Sequence, residues 1–253
     1  MVSRRSFLGY ALAMMAFERY ERAVAAPPRT FIRRPPAARP RLQYVRMQAH
    51  DLAALADFYG HTLGLKPRLA AQKLSIPIGQ STLEFVSAAE RTKPYYHFAF
   101  TIPENKFEAG RAWLAARTPL LIDRETGRDY IHFENINAHS VYFADSCGNI
   151  GELIARHTLI SDRAGDFTPP DHDATFNLIR RELAIEPWDG SSIFLGDDDG
   201  TIIVFEPNHP WLPERKRPGE VHPTTIVVQG HGRRVVPFAE TCLPYVLEDR
   251  KSW

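Results

Sequence analysis

Apolar and polar positions alternate strictly along Tyr96-His97-Phe98-Ala99-Phe100-Thr101-Ile102. That period predicts a strand with Tyr96, Phe98, Phe100 and Ile102 on one face and His97, Ala99 and Thr101 on the other. One face is core, and the other is lined for chemistry. After Pro103 the period changes: Phe107, Gly110 and Leu114 recur at the spacing of one helix face. Strands follow, the last being Ile150 to Ala155, which carries Glu152. An earlier stretch repeats the order. Tyr44 to Leu65 reads as a strand and then a helix whose Leu52, Leu55 and Tyr59 share a face, with Asp51 placed as N-cap. Leu74 to Ile78 and Thr82 to Val86, separated by Gly79, read as paired strands. Residues 42–88 and 94–157 therefore each predict a βαβββ unit, an internal repeat of α+β class.

Breakers divide the rest of the chain. Residues 27–41 hold Pro27, Pro28, Pro35, Pro36 and Pro40 among arginines, a density that forbids a helix or a central strand, so folded structure is expected from Leu42. Thr158 to His172 is rich in Asp, Pro and Gly and marks a boundary. Beyond it, Phe176 to Ile185, Ser192 to Gly196, Thr201 to Phe205 and Thr224 to Gln229 predict a strand-rich appendage. Residues 173–253 read as a partial third module or as a C-terminal cover. Asp199-Gly200 signals a hairpin turn, because that pair tolerates positive φ. The acidic run Asp197 to Asp199 lacks the ligand spacing of a calcium loop.

Composition excludes some partners. The chain has 31 Lys and Arg against 30 Asp and Glu, so the counts offer no basic face for nucleic acid. Cys147 and Cys242 make neither a disulfide framework nor a CxxC pair. Residues 1–26 contain SRRSFLG, the apolar run Tyr10 to Phe17 and Ala23-Val24-Ala25, and resemble a bacterial twin-arginine export signal. The resemblance implies a periplasmic protein. The apolar run is far below the roughly 20 residues that span a bilayer, so no stable membrane anchor is expected.

The motifs of the repeat carry a second resemblance. His97 opens a strand that ends in IPEN, and Asp145-Ser146-Cys147-Gly148-Asn149 precedes Gly151-Glu152-Leu153, while the first unit has a DL…FY…LGL spacing. This resembles the vicinal-oxygen-chelate superfamily, which holds the glyoxalases, extradiol dioxygenases and the bleomycin- and fosfomycin-resistance proteins. The family turn usually has proline where Ser146 stands. The resemblance implies two modules around a shared cavity, with metal ligands on the first and fourth strands of each. Carried over, the ligands are His97, Glu152 and Glu84, while the fourth position falls on Tyr44, where metal-dependent members usually have His or Gln. Such a set suits Fe(II), Mn(II), Ni(II), Co(II) or Zn(II).

With Tyr44 in place of an imidazole, ring-cleaving oxygenase chemistry is weakened. Proton transfer of lyase or isomerase type, with Glu84 or Glu152 as base, is the sharper expectation. The alternative is a metal-free small-molecule binder in which both acids are neutralised by Arg46, which shares a strand face with Tyr44, Gln48 and His50. Ser140 and Tyr142 lie on the face that contacts substrate in the fosfomycin-resistance relatives, and with Tyr44, Arg46 and Gln48 they are the expected substrate contacts. His139 is expected to point to the helix layer, and His132, His157, His209, His222 and His231 to the surface. The expected partner is a small oxygen-rich molecule, and a homodimer is compatible with the family pattern. No P-loop, Rossmann glycine pattern, nucleophile elbow or HExxH is present.

Overall fold

The computed structural model describes residues 41–159, 161–168, 173–179, 192–197, 200–205, 209–230, 234–237 and 244–251. The expected export signal, the linker up to Pro40, Cys242 and His231 lie outside the described residues. Among those described, fourteen strands form two seven-stranded sheets.

The first unit comprises β1 (Arg41–Ala49), α1 (Leu52–Asp57), β2 (Arg68–Ala70), β3 (Lys73–Ile78) and β4 (Ser81–Ser87). Asp51 caps α1 as its sequence position predicts, accepting from the Ala54 N–H at 2.8 Å. The helix runs on into a π-helical turn, Phe58–Thr62. The second unit comprises β5 (His97–Ile102), α2 (Phe107–Ala115), β6 (Ile131–Phe133), β7 (Ala138–Ala144) and β8 (Ile150–Arg156). In each unit the first and fourth strands run parallel and adjacent, with Arg46 beside Glu84 and Ala99 beside Glu152.

The C-terminal part supplies two further three-stranded units among the described residues. One is β9 (Asp173–Ile179), β10 (Ser192–Asp197) and β11 (Gly200–Phe205); the other is β12 (Thr224–Gly230), β13 (Arg234–Pro237) and β14 (Tyr245–Lys251). Each repeats the pattern of a first strand beside a parallel last strand, with an antiparallel neighbour. The predicted Asp-Gly hairpin is the β10–β11 pair, closed by Asp197 opposite Gly200. These units set the pairing of the modules. β1 pairs antiparallel with β12, and β5 with β9, giving the orders β13-β14-β12-β1-β4-β3-β2 and β10-β11-β9-β5-β8-β7-β6. The first-strand edge of each full module is thus consumed within the chain, and the two modules occupy different sheets.

Strand alternation then decides where the polar residues look. Val45, Met47, Leu83 and Phe85 of the first sheet share one core with Phe98, Phe100, Val141, Phe143 and Leu153 of the second. Phe85 and Phe98 meet edge-on with ring centroids 6.3 Å apart. Burial of side chains of this size contributes about 1.5–3 kcal/mol each, which fixes the register. The alternate positions, with Tyr44, Arg46 and Glu84 on one sheet and His97, Tyr142 and Glu152 on the other, face away from this core and hence away from each other.

The Asp145 turn locks the second module to the first. Asp145 Oδ1 accepts from the Cys147 and Asn149 N–H groups, and its Oδ2 accepts from Asn149 Nδ2 and from the Tyr59 hydroxyl at 2.9 Å. Gly148 sits at φ +81°, which removes the steric penalty of the left-handed turn. Gly151 answers to a different demand: a Cβ there would lie 2.2 Å from Phe143 Cζ.

Candidate functional site

The polar face of the second module is built by β5, β7 and β8. Glu152 lies between Ala99 and Tyr142 in the register of the sheet. His97 Nε2 and Glu152 Oε2 are 2.9 Å apart, and the two side chains are only 5% and 7% exposed. The Tyr142 hydroxyl donates to the other carboxylate oxygen at 3.2 Å. Burial, and then the nearby Glu152 charge, push the Tyr142 phenol well above its ordinary range, so it stays a protonated donor. One atom of the pair is unmet: His97 Nδ1 is buried with no hydrogen-bond partner among the described residues. Leaving such a group unpaired costs about 1–3 kcal/mol, which a ligand that meets it would recover.

The polar face of the first module has a different character. The Arg46 guanidinium donates to Glu84 Oε1 at 2.5 Å, Lys73 Nζ lies 3.3 Å from Oε2 and Ser75 Oγ lies 3.4 Å from it. Burial pushes the Glu84 carboxyl up, but the bonds and charges of Arg46 and Lys73 outweigh it and hold it below the ordinary glutamate range. Arg46 also lies over the Tyr44 ring at 5.5 Å. Gln48 gives its backbone N–H to the Tyr96 hydroxyl, and His50, past the strand end, is exposed. Glu84 is therefore a satisfied ion-paired carboxylate.

Of the expected ligand set, His97 and Glu152 come together and Glu84 does not. The cause is strand pairing: β1 pairs with β12 and β5 with β9, so Glu84 and His97 stand on different sheets. Among the described residues no three His, Cys, Asp or Glu side chains are grouped to hold a metal ion. The donors present, one nitrogen and one carboxylate already bonded to each other, fall short of the three protein ligands typical of a catalytic metal site. Of the expected substrate contacts, Tyr142 joins the pair and Ser140 lies on its face, whereas Tyr44, Arg46 and Gln48 belong to the other sheet.

Two features escaped sequence reasoning. Residues 209–223 fold over the second module, and Trp211 stands edge-on to His97 with centroids 5.0 Å apart and an interplanar angle of 80°. A lone Trp in a proline-rich connection has no period to betray its burial. The other is a line of imidazoles. His139 packs on Phe107 of the helix layer, as its parity predicts, but it also stacks on His132 at 4.3 Å and bonds His157 at 2.8 Å. His157 in turn bonds Glu104 at 2.8 Å, so it is a partnered residue and not free surface. The other side of the hairpin, where β6 pairs His132 with His139, was the missing signal.

No protein-family model matches the chain, and no curated protein matches its sequence. Solved structures do. A provisionally named dioxygenase from Bacillus subtilis is 14% identical, matched over 85% of this chain and 86% of its own, with a TM-score of 0.50. A lactoylglutathione lyase from Agrobacterium tumefaciens is 23% identical over 47% of this chain and 94% of its own, with a TM-score of 0.36. The fosfomycin resistance protein FosX from Mesorhizobium loti is 16% identical over 45% and 88%, with a TM-score of 0.32. The first match extends over most of the chain and has the weight. Together with the parallel pairing of first and last strands found in all four described units, it gives this chain the fold of that structure, of the glyoxalase-like kind that the sequence motifs led us to expect.

Proposed function

We propose that this protein is a small-molecule lyase or isomerase that moves a proton on an oxygen-rich substrate at the polar face of its second module. What supports the reading is the buried His97–Glu152 pair, backed by Tyr142, whose His97 Nδ1 has no protein partner among the described residues. Assigning the Nε2 proton to the bond with Glu152 leaves Nδ1 as a lone-pair acceptor. In a site poor in water, that nitrogen takes a proton from a carbon beside a carbonyl; the imidazolium is stabilised by Glu152 and returns the proton to a neighbouring atom. The Tyr142 hydroxyl keeps the carboxylate oriented. General-base help of this kind is worth about 10²–10⁴-fold in rate.

Deuterium uptake from D2O into a panel of small α-hydroxy ketones and 1,2-dicarbonyls, followed by proton NMR, tests the reading. Exchange is expected with the wild type and is expected to fall at least a hundredfold, roughly, in His97→Ala. No exchange beyond the buffer rate, or exchange untouched by His97→Ala, contradicts it. A stoichiometric transition metal in purified protein, lost in His97→Ala, would instead restore the metal-dependent form of the chemistry.

A second reading, a metal-free binder, is favoured by Trp211 closing over His97; ligand-induced thermal shifts without turnover would select it. We further propose export to the periplasm, on the resemblance of residues 3–9 to a twin-arginine signal. Cell fractionation of Arg4→Lys/Arg5→Lys, expected to retain the protein in the cytoplasm, tests it. Among the described residues no helix is long and apolar enough to cross a membrane.

A further inference from the structure

Residues 209–223 form a clasp bonded to itself and to the second module. Within it, the Trp211 N–H donates to Arg217 O, the Arg215 N–H to Trp211 O and the Gly219 N–H to His209 O, at 2.7–2.9 Å. Its ties to the module are polar and peripheral. The Arg124 N–H donates to Pro213 O at 3.1 Å, Arg217 Nη1 to Gly148 O, the Tyr95 hydroxyl to Pro218 O, and Arg215 bridges Glu125 at 3.0 Å. Trp211, 6% exposed, is its buried aromatic ring, packed among Tyr95, Leu121, Ile131, Tyr142, Ile150 and Leu212. At the inner side of this apolar slot stands His97, with an unpartnered Nδ1.

An indole with a buried, unmet imidazole against it is a flat ring in a slot whose polar end it does not satisfy. The geometry points to Trp211 as the internal occupant of a ring subsite: the ligand is a flat aromatic molecule bearing a hydroxyl or similar group, and it enters by displacing the indole and bonding His97 Nδ1. This rests on the proposed site for its location but not on proton transfer. Binding then scales with the fraction of molecules whose clasp is open.

The probe is 2-naphthol, a bicycle close to indole in size, with naphthalene as the control that lacks the hydroxyl; binding is read by fluorescence. Trp211→Ala is expected to bind one 2-naphthol per chain at least about tenfold more tightly than wild type, and to prefer it over naphthalene. The preference is expected to vanish in Trp211→Ala/His97→Ala. Glu125→Gln leaves the slot intact and weakens the clasp, so it is expected to tighten wild-type binding roughly 1.4- to 5-fold, the worth of one surface ion pair. Equal affinity in wild type and Trp211→Ala, or no preference for the hydroxyl, overturns the inference. If circular dichroism shows Trp211→Ala unfolded, Glu125→Gln decides alone, and unchanged affinity there overturns it. Naphthol binding without deuterium exchange would sink the proton-transfer reading and keep the slot; exchange without binding would sink the slot alone.

Discussion

Tyr59→Phe removes a single oxygen at the seam between the two modules. The Tyr59 hydroxyl is fully buried and donates to Asp145 at 2.9 Å, while its ring packs on Phe58 and Phe85. Phenylalanine keeps those ring contacts, so the change isolates the hydrogen bond. Asp145 retains three donors from Cys147 and Asn149 and is not left orphaned. The cost should therefore sit at the low end for a hydrogen bond to a charged group, about 1.5–2 kcal/mol. For a chain of this size that is a fall in Tm of about 3–8 °C. Burial pushes the Asp145 carboxyl upward, and its donors, Asn149 and Tyr59 foremost, oppose it. Losing Tyr59 raises the carboxyl further, so the mutant binds its proton at higher pH than wild type does. The stability gap should then be full above the mutant's folded value and shrink as pH falls through the wild-type one. Calorimetric melts of both proteins from neutral to acidic pH read the gap. A loss under about 0.5 kcal/mol at neutral pH would refute the tie between the modules, because surface changes alone account for that much.

Three further outcomes follow from the same geometry. Glu84 is held below its ordinary range by Arg46 and Lys73, so its contribution is present above the unfolded glutamate value and lost as pH falls through the folded one. Glu84→Gln should thus lower stability at neutral pH by about 1 kcal/mol, given the half-exposed Arg46, and converge with wild type in acid melts. Gly151→Ala, which drives a methyl into the Phe143 ring, should cost about 1–3 kcal/mol, and Phe143→Leu in the same chain should relieve part of it in urea titrations. The Cys147 thiol is buried, donates to Asp51 O, and is pushed up to about 11 by burial. It should resist iodoacetamide at pH 8 in the native protein and react once unfolded, as read by peptide mass spectrometry.

Much of the fold was legible because alternation and helical spacing report which face of an element is buried. Leu52, Leu55 and Tyr59 line one side of the first helical segment, and Phe107, Gly110 and Leu114 one side of the second, all buried as their spacing predicts. The parity of β5 likewise put His97 opposite Phe98 and Phe100, and the α+β class followed from the same pattern. Alternation reports a face but not a neighbour. Nothing in Tyr44 to Ala49 says whether that strand pairs with β5 or with β12, because the choice depends on contacts almost two hundred residues away. That choice separated Glu84 from His97. The same limit hid Trp211, whose burial is decided by where residues 209–223 cross the second module.

His97 and Glu152 are bonded to each other, and Glu84 is bonded on the other sheet, to Arg46. Two double-mutant cycles, measured by urea unfolding, test this arrangement side by side. His97→Ala with Glu152→Gln is expected to couple by about 1 kcal/mol or more, as residues in one hydrogen-bonded pair do, while His97→Ala with Glu84→Gln is expected to add within about 0.3–0.5 kcal/mol. Strong coupling of His97 to Glu84, or additivity of His97 and Glu152, would contradict it.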